Sequence, residues 1–166
     1  DGSVIVGSGT TASGPTATRW TAGRGHEQLF PGTTSAAEGV SAGGQAVVGW
    51  LETPGGKRAF RWCEGDVTLF EAPGLTQSLA FGVSADGSTV VGKARIGSAP
   101  SNAFIWDAAH GLRFIKDLLV DRGVPGLESW YLLCAEDISA DSTVVVGTGY
   151  FAGGEGWVAT MPHLPL

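Results

Sequence analysis

One short motif occurs four times in this chain and constrains its fold more than any other feature. In its clearest copy, residues 82–92, a strand end runs into an Ala-Asp-Gly-Ser corner and then into a β-branched run closed by glycine. Asp and Gly tolerate the left-handed backbone of a tight hairpin, and Thr-Val-Val favours a pleated sheet. The copies begin at residues 1, 43, 86 and 141, at intervals of 42, 43 and 55 residues. This spacing predicts a repeat architecture.

Other landmarks recur in register with the corner. A lead-in of the form Ala-x-x-Val/Ile-Ser precedes three copies, at residues 37–41, 80–84 and 135–139. An aromatic strand follows each closing glycine, at residues 17–20, 59–62, 103–106 and 156–159. A third strand follows the first three aromatic strands across a glycine turn, and the next lead-in supplies a fourth. Four short strands in roughly 42 residues are typical of a propeller blade.

The sequence therefore predicts an all-β fold of four-stranded units, arranged as a β-propeller or an open propeller-like array. One repeat domain is expected, with units at about residues 1–42, 43–85, 86–140 and, in part, 141–166. An insertion in the third unit puts Phe114, Leu118 and Leu119 on one helical face and then reaches a glycine. This pattern predicts one short helix near residues 114–122.

The two ends of the chain are expected not to complement each other. The first unit starts at the corner without a lead-in, and the last unit holds only its corner strand and its aromatic strand. Strand edges left open in this way are templates for pairing with another chain. The sequence therefore predicts partners that are upstream repeats of the same protein or other copies of it.

Composition excludes several classes of function. The chain has 166 residues, 43% of them hydrophobic, with 27 glycines and eight prolines, which suits one folded domain with many turns. A net charge of −6 argues against nucleic acid as a partner, because that affinity rests on basic contacts to phosphate. No apolar run approaches the ~18 residues that span a membrane. The low charged fraction, 16%, with abundant Gly, Ser, Thr and Ala, suits a secreted or surface protein.

Two stretches of the repeat match a known pattern. Residues 83–92 fit Val-Ser-x-Asp-Gly-x-x-Val-Val-Gly, and residues 59–62 and 103–106 fit the Ala-Phe-x-Trp part of His-Ala-Phe-x-Trp. The chain therefore resembles the HAF-repeat family of bacterial extracellular proteins over essentially its whole length, although Arg58 and Asn102 replace the histidine. The resemblance implies export and a propeller-like β fold, and it carries no catalytic residues with it. Because family members usually have more repeats, it also favours a truncated or processed chain.

The G-x-S-x-G pattern at residues 39–43 is the one nucleophile motif in the sequence. A serine nucleophile of this kind needs a strand, a sharp elbow and a helix. The residues after Gly43 predict a strand instead, and Ser84 and Ser139 occupy the same corner as Ser41. A lone corner carboxylate also lacks the roughly six to eight oxygen ligands of calcium. We therefore expect no enzymatic activity, no metal and no cofactor.

Aromatic residues and cysteines are the remaining candidates. In the aromatic strands, Trp20, Trp62 and Trp106 share one repeat position, and Trp157 aligns with Phe60 and Phe104. Aromatics at fixed repeat positions favour packing between units. Trp50, Tyr150 and Phe151 follow the corner strands near loop bases, and they are the candidates for contact with a glycan. Cys63 and Cys134 form no Cys-x-x-Cys pair, so they are either two buried thiols or one disulfide across neighbouring repeats.

The sequence thus predicts a non-enzymatic structural or interaction module, extracellular or at the cell surface, that self-assembles through its terminal strands. A carbohydrate-binding surface module that uses the loop aromatics is the alternative.

Overall fold

Four antiparallel sheets and one short helix follow one another in the computed structural model, which describes residues 2–12, 14–151 and 153–161. The first sheet contains β1 (Val4–Thr11), β2 (Gly14–Thr21) and β3 (Gly25–Gln28). The second contains β4 (Ser35–Val40), β5 (Ala46–Thr53), β6 (Gly56–Cys63) and β7 (Asp66–Leu69). The third contains β8 (Leu75–Val83), β9 (Val90–Ile96), β10 (Asn102–Asp107) and β11 (Gly111–Phe114). After α1 (Ile115–Asp121), the fourth contains β12 (Tyr131–Ile138), β13 (Val144–Tyr150) and β14 (Gly154–Thr160).

The sheets stack face to face in chain order, with one apolar core at each of the three interfaces. Val47 and Trp62 of the second sheet meet Val6 of the first. Likewise, Val90 of the third sheet meets Val48 of the second, and a third cluster joins the third and fourth sheets. None of these clusters joins the first sheet to the fourth within the described residues. The predicted all-β repeat fold is therefore confirmed, in the form of an open propeller-like array.

The lead-in strand begins a sheet and does not end the preceding one. β4 pairs with β5, β8 with β9 and β12 with β13, so the corner joins the first two strands of one sheet. The units counted from the corner therefore run one strand out of phase with the sheets. Each lead-in strand also packs on the sheet before it. Residue 1 and residues 162–166, which belong to the first and last predicted units, lie outside the described residues.

A β-bulge interrupts each lead-in strand at the same repeat position. In the third sheet it lies between Ala80 and Gly82. The bulge brings a carbonyl group beneath the closing glycine of the neighbouring strand, and a Cβ on Gly92 would overlap the carbonyl oxygen of Leu79. The closing glycines of the second and fourth sheets meet the same obstacle, whereas Gly7 in the first sheet faces open space. The glycine of the repeat is thus required wherever a lead-in strand is present.

The predicted helix near residues 114–122 forms as α1. Its buried side chains, Ile115 and Leu119, lie one turn apart and join the core between the third and fourth sheets. Phe114 was expected on the helix and is instead the last residue of β11. Among the described residues, no helix has the length and apolar character needed to cross a membrane.

Candidate functional site

A serine hydroxyl bonds the corner in three of the four sheets, and the serine is buried in the second and third sheets. The hydroxyl oxygens of Ser41, Ser84 and Ser139 each accept a backbone N–H from the residue five positions later, at 3.0, 3.0 and 2.9 Å. Ser41 is only 4% exposed. The serine of the G-x-S-x-G pattern therefore has the same hydrogen bond as its two equivalents, and it begins a hairpin rather than a helix.

Replacing Ser41 with alanine should destabilise the fold, because it leaves the buried N–H of Ala46 without its acceptor. The expected loss is about 1–3 kcal/mol in the free energy of unfolding, measured by urea denaturation. Ser84→Ala is the matched control and should cost a similar amount. A Ser41→Ala variant as stable as the wild type, beside a destabilised Ser84→Ala variant, would contradict a shared structural role.

The corner carboxylates bind their own turns. The Asp141 carboxylate accepts hydrogen bonds from the hydroxyl of Ser139 and from the hydroxyl and backbone N–H of Thr143, and these lower its pKa to about 2. Asp86 makes the equivalent bonds in the third sheet, and its pKa is also lowered, first by Ser84. Asp1, at this position in the first copy, lies outside the described residues. No group of three or more metal-ligating side chains occurs in the part of the chain that is described.

Successive corners are also bonded to one another. The N–H of Ala42 donates to the carbonyl of Ala85 at 3.1 Å, and the N–H of Ala85 donates to that of Ala140 at 3.0 Å. Arg61 of the second sheet donates from Nε to the carbonyl of Gly87 in the next corner at 2.6 Å. The corner motif is therefore a contact between sheets as well as a hairpin.

The first predicted glycan-contact residue, Trp50, is half-buried and has partners on two sides. Its indole N–H donates to Glu38 Oε1 at 3.2 Å, and the ammonium of Lys57 lies 3.6 Å from the ring centroid. A sugar stacking on that face would have to displace the lysine. Trp50 lies in the second sheet, so the fold does not bring it together with the other two candidates.

Tyr150 is the last residue of the second strand of the fourth sheet, Phe151 follows it, and both are about half exposed. Tyr150 lies opposite Tyr131, which is also half exposed. The ring of Phe151 stacks on Trp130, with 5.5 Å between centroids and 15° between planes. The structure thus gathers two of the three predicted aromatics into a small surface patch with two further aromatics.

Both cysteines are free thiols. Cys63 ends β6 in the second sheet, and Cys134 is buried on β12 in the fourth. Burial, reinforced by the nearby Glu136, raises the pKa of the Cys134 thiol to about 12. Because a thiolate is the reactive species, Cys134 is an inert core residue in this fold. The disulfide alternative is not formed in the structure.

The outer face of the first sheet exposes residues that are buried elsewhere in the repeat. Val47 pairs with Trp62 in the second sheet, and Ile5 pairs with Trp20 at the same positions in the first. Trp62 is 7% exposed, whereas Ile5 is 58% and Trp20 is 41% exposed. The difference arises because no sheet covers the first one within the described residues.

The outer face of the fourth sheet shows the same contrast. Its Val146 and Val158 are cross-strand partners, as Val91 and Ile105 are in the third sheet. Val91 and Ile105 are fully buried against the fourth sheet, but Val146 is 39% and Val158 is 70% exposed. The two end faces are defined here as the first-sheet face, with Ile5 and Trp20, and the fourth-sheet face, with Val146 and Val158.

These end faces are the two halves of one repeated interface. At each internal interface, one sheet presents the face that corresponds to the fourth-sheet face. The following sheet packs on it with the face that corresponds to the first-sheet face. The sequence repeats align all of these residues. They do not reveal the end faces, because an alignment does not show which sheets have another sheet packed on them.

No protein-family model matches the chain, and no curated protein matches it in sequence. The resemblance to the HAF-repeat family therefore stays a prediction.

Proposed function

We propose that this chain is a non-enzymatic structural or interaction module that associates through its two end faces, with a second copy as the partner. The fourth-sheet face of one copy packs on the first-sheet face of the next. The proposal rests on one observation above all: positions that are buried at internal interfaces are exposed at both ends. Extracellular or cell-surface location, predicted from composition and from the resemblance, belongs to the same proposal.

The chemistry of the two faces supports a head-to-tail contact. Val158 takes the position held by Arg61 in the second sheet and by Ile105 in the third, so the fourth-sheet face is at least as apolar as the internal faces it resembles. The first-sheet face presents Ile5 and Trp20, which match the covered Val47 and Trp62. A contact of this heterologous type closes into a ring or continues as a filament.

The edge of β1 is a separate feature of the first sheet, distinct from the first-sheet face that the head-to-tail contact uses. β1 is an outer strand of its sheet, with β2 as its one neighbour among the described residues. The closing glycine of its corner motif, Gly7, faces open space. At the equivalent Gly49, Gly92 and Gly147, a Cβ would overlap a carbonyl oxygen of the bulged lead-in strand. The first sheet therefore has the glycine that a pairing inner strand would need.

We expect the chain to associate reversibly as its concentration rises, and sedimentation equilibrium measures this directly. Replacing Val158 with aspartate places a charge in the apolar contact and should abolish association while leaving the monomer folded, because this side chain is 70% exposed. Val67→Asp is the matched control, since Val67 is 45% exposed on the outer strand of the second sheet. A wild-type chain that is monomeric at every concentration would contradict the proposal.

Glycan binding is the second candidate function, favoured by the exposed rings of Tyr131, Tyr150 and Phe151 near the half-buried Trp130. Aromatic faces with a polar tip suit contact with sugars. Silence of the chain on a glycan array would remove this candidate without affecting the association proposal.

A further inference from the structure

A cavity of about 300 Å³ lies between the fourth sheet, the helix and the loop that follows the helix. The helix contributes Leu119, and the loop contributes Val124, Leu127 and Trp130. The sheet contributes Leu132 and the last-strand residues Trp157, Val158, Ala159 and Thr160. Val124 is exposed, and Leu127 and Trp130 are half-buried, so the loop forms the rim. The lining has no charged residue, and the indole N–H of Trp157 already donates to the carbonyl of Thr148 at 2.8 Å. The cavity therefore suits an uncharged apolar occupant.

The repeat indicates what fits beside Ala159. Ala159 pairs with Val145, as Trp62 pairs with Val47 and Trp106 with Val90. An indole ring thus occupies this repeat position in the first three sheets, and the fourth sheet has a methyl group in its place. In the preceding interface, the ring of Trp106 stacks on Phe70 with 4.4 Å between centroids and 13° between planes. The position accommodates a flat ring wherever the chain supplies one.

We propose that the cavity beside Ala159 binds a small, flat, uncharged aromatic molecule of about the size of indole. Its volume lies at the small end of the usual range for ligand sites, roughly 300–1,000 Å³, which fits a single fused ring system. An apolar cavity that opens to solvent gains by taking up an aromatic ring, because the ring removes its apolar walls from water. Leu132, Trp157 and Ala159 lie in the core between the third and fourth sheets, and Val158 of the fourth-sheet face borders the cavity as well.

Titration of isotope-labelled protein with indole, followed by nuclear magnetic resonance, tests the site. We expect saturable shifts of the side-chain N–H signals of Trp130 and Trp157, with a dissociation constant on the order of 0.1–1 mM for so small a ligand. The signal of Trp20, on the first-sheet face, should not move. Shifts that spread over all six tryptophans without saturating would overturn the proposal.

Filling the cavity from the protein side is the sharper test. Ala159→Trp restores the side chain of the other sheets and should weaken indole binding at least tenfold. Ala159→Leu fills less of the space and should weaken indole binding at least threefold. This variant replaces Ala159→Trp in the test if the tryptophan variant does not fold. Val67→Trp is the matched control: it adds the same ring on the exposed strand β7 and should leave binding unchanged.

Two results would overturn the assignment. One is undiminished indole binding by a folded Ala159→Trp or Ala159→Leu variant, since the ring would then lie elsewhere. The other is equal binding of cyclohexanol, a ring that is not flat, because the proposal commits the site to planar aromatic molecules.

Discussion

Replacing Phe70 with alanine is expected to lower the free energy of unfolding by about 3–5 kcal/mol, the usual cost of truncating a buried aromatic side chain. Phe70 follows β7 of the second sheet and is fully buried. Its ring stacks on Trp106 and meets Phe104 edge-on, with 6.0 Å between the latter centroids, and both partners belong to the third sheet. The variant therefore removes the largest second-sheet side chain from the core between the two central sheets. Chemical denaturation followed by circular dichroism measures the loss.

Val67→Ala is the matched control for this prediction. Val67 lies three residues earlier on β7 and is 45% exposed, so its truncation should change the stability by less than about 1 kcal/mol. If Phe70→Ala costs no more than Val67→Ala, the stacking of sheets on a shared core is wrong.

Replacing Gly92 with alanine is expected to cost about 3 kcal/mol or more, because the added Cβ overlaps a backbone carbonyl that cannot rotate away. The carbonyl belongs to Leu79, which the β-bulge in β8 holds beneath the glycine. Either the bulge must be distorted or the hydrogen bonds that pair β8 with β9 must break. Thermal and urea unfolding of the variant would measure the cost.

Gly7→Ala is the control that the repeat itself supplies. Gly7 ends the same corner motif, but a Cβ there meets nothing within 4 Å. We expect its folding stability to change by less than about 1 kcal/mol, and removal of a strand glycine can even stabilise. A Gly7→Ala monomer as damaged as Gly92→Ala would show that the edge of β1 is already occupied in the folded chain, against the free edge described here.

Much of the fold follows from the sequence because the repeat is internally consistent. The corner residues, the β-branched run and the aromatic strand each favour a short antiparallel strand, and they recur in register. The alignment of Trp157 with Phe60 and Phe104 is confirmed, since all three pair with a closing glycine of the repeat.

The phase of the sheets could not be predicted in this way. A lead-in strand such as β8 lies between two sheets in the sequence, and its composition suits pairing with either neighbour. The structure assigns it to the following sheet through the tight corner hairpin between Ser84 and Thr89, which bonds the two strands directly. The bulge at the lead-in has no distinctive residue type, because Glu38 and Phe81 occupy equivalent bulges.

The candidate site was harder to predict because exposure depends on neighbours. Ile5 is β-branched and apolar like the buried Val47, and Trp20 matches the buried Trp62, so no local signal separates them. The cavity beside Ala159 did have a signal: the fourth aromatic strand has Ala159 at the position where the other three have tryptophan. For Trp50, the sequence predicts an aromatic near a loop base, and only the structure shows its contacts with Glu38 and Lys57.

Mixing two variants tests the central claim, that the end faces are complementary halves of one interface, most directly. Ile5→Asp damages the first-sheet face and leaves the fourth-sheet face intact, whereas Val158→Asp does the reverse. Each variant alone should be monomeric, because every head-to-tail contact needs both faces. An equimolar mixture should form a 1:1 dimer by sedimentation equilibrium, through the one undamaged pair of faces. A mixture that stays monomeric while the wild type associates, or single variants that associate like the wild type, would contradict the account.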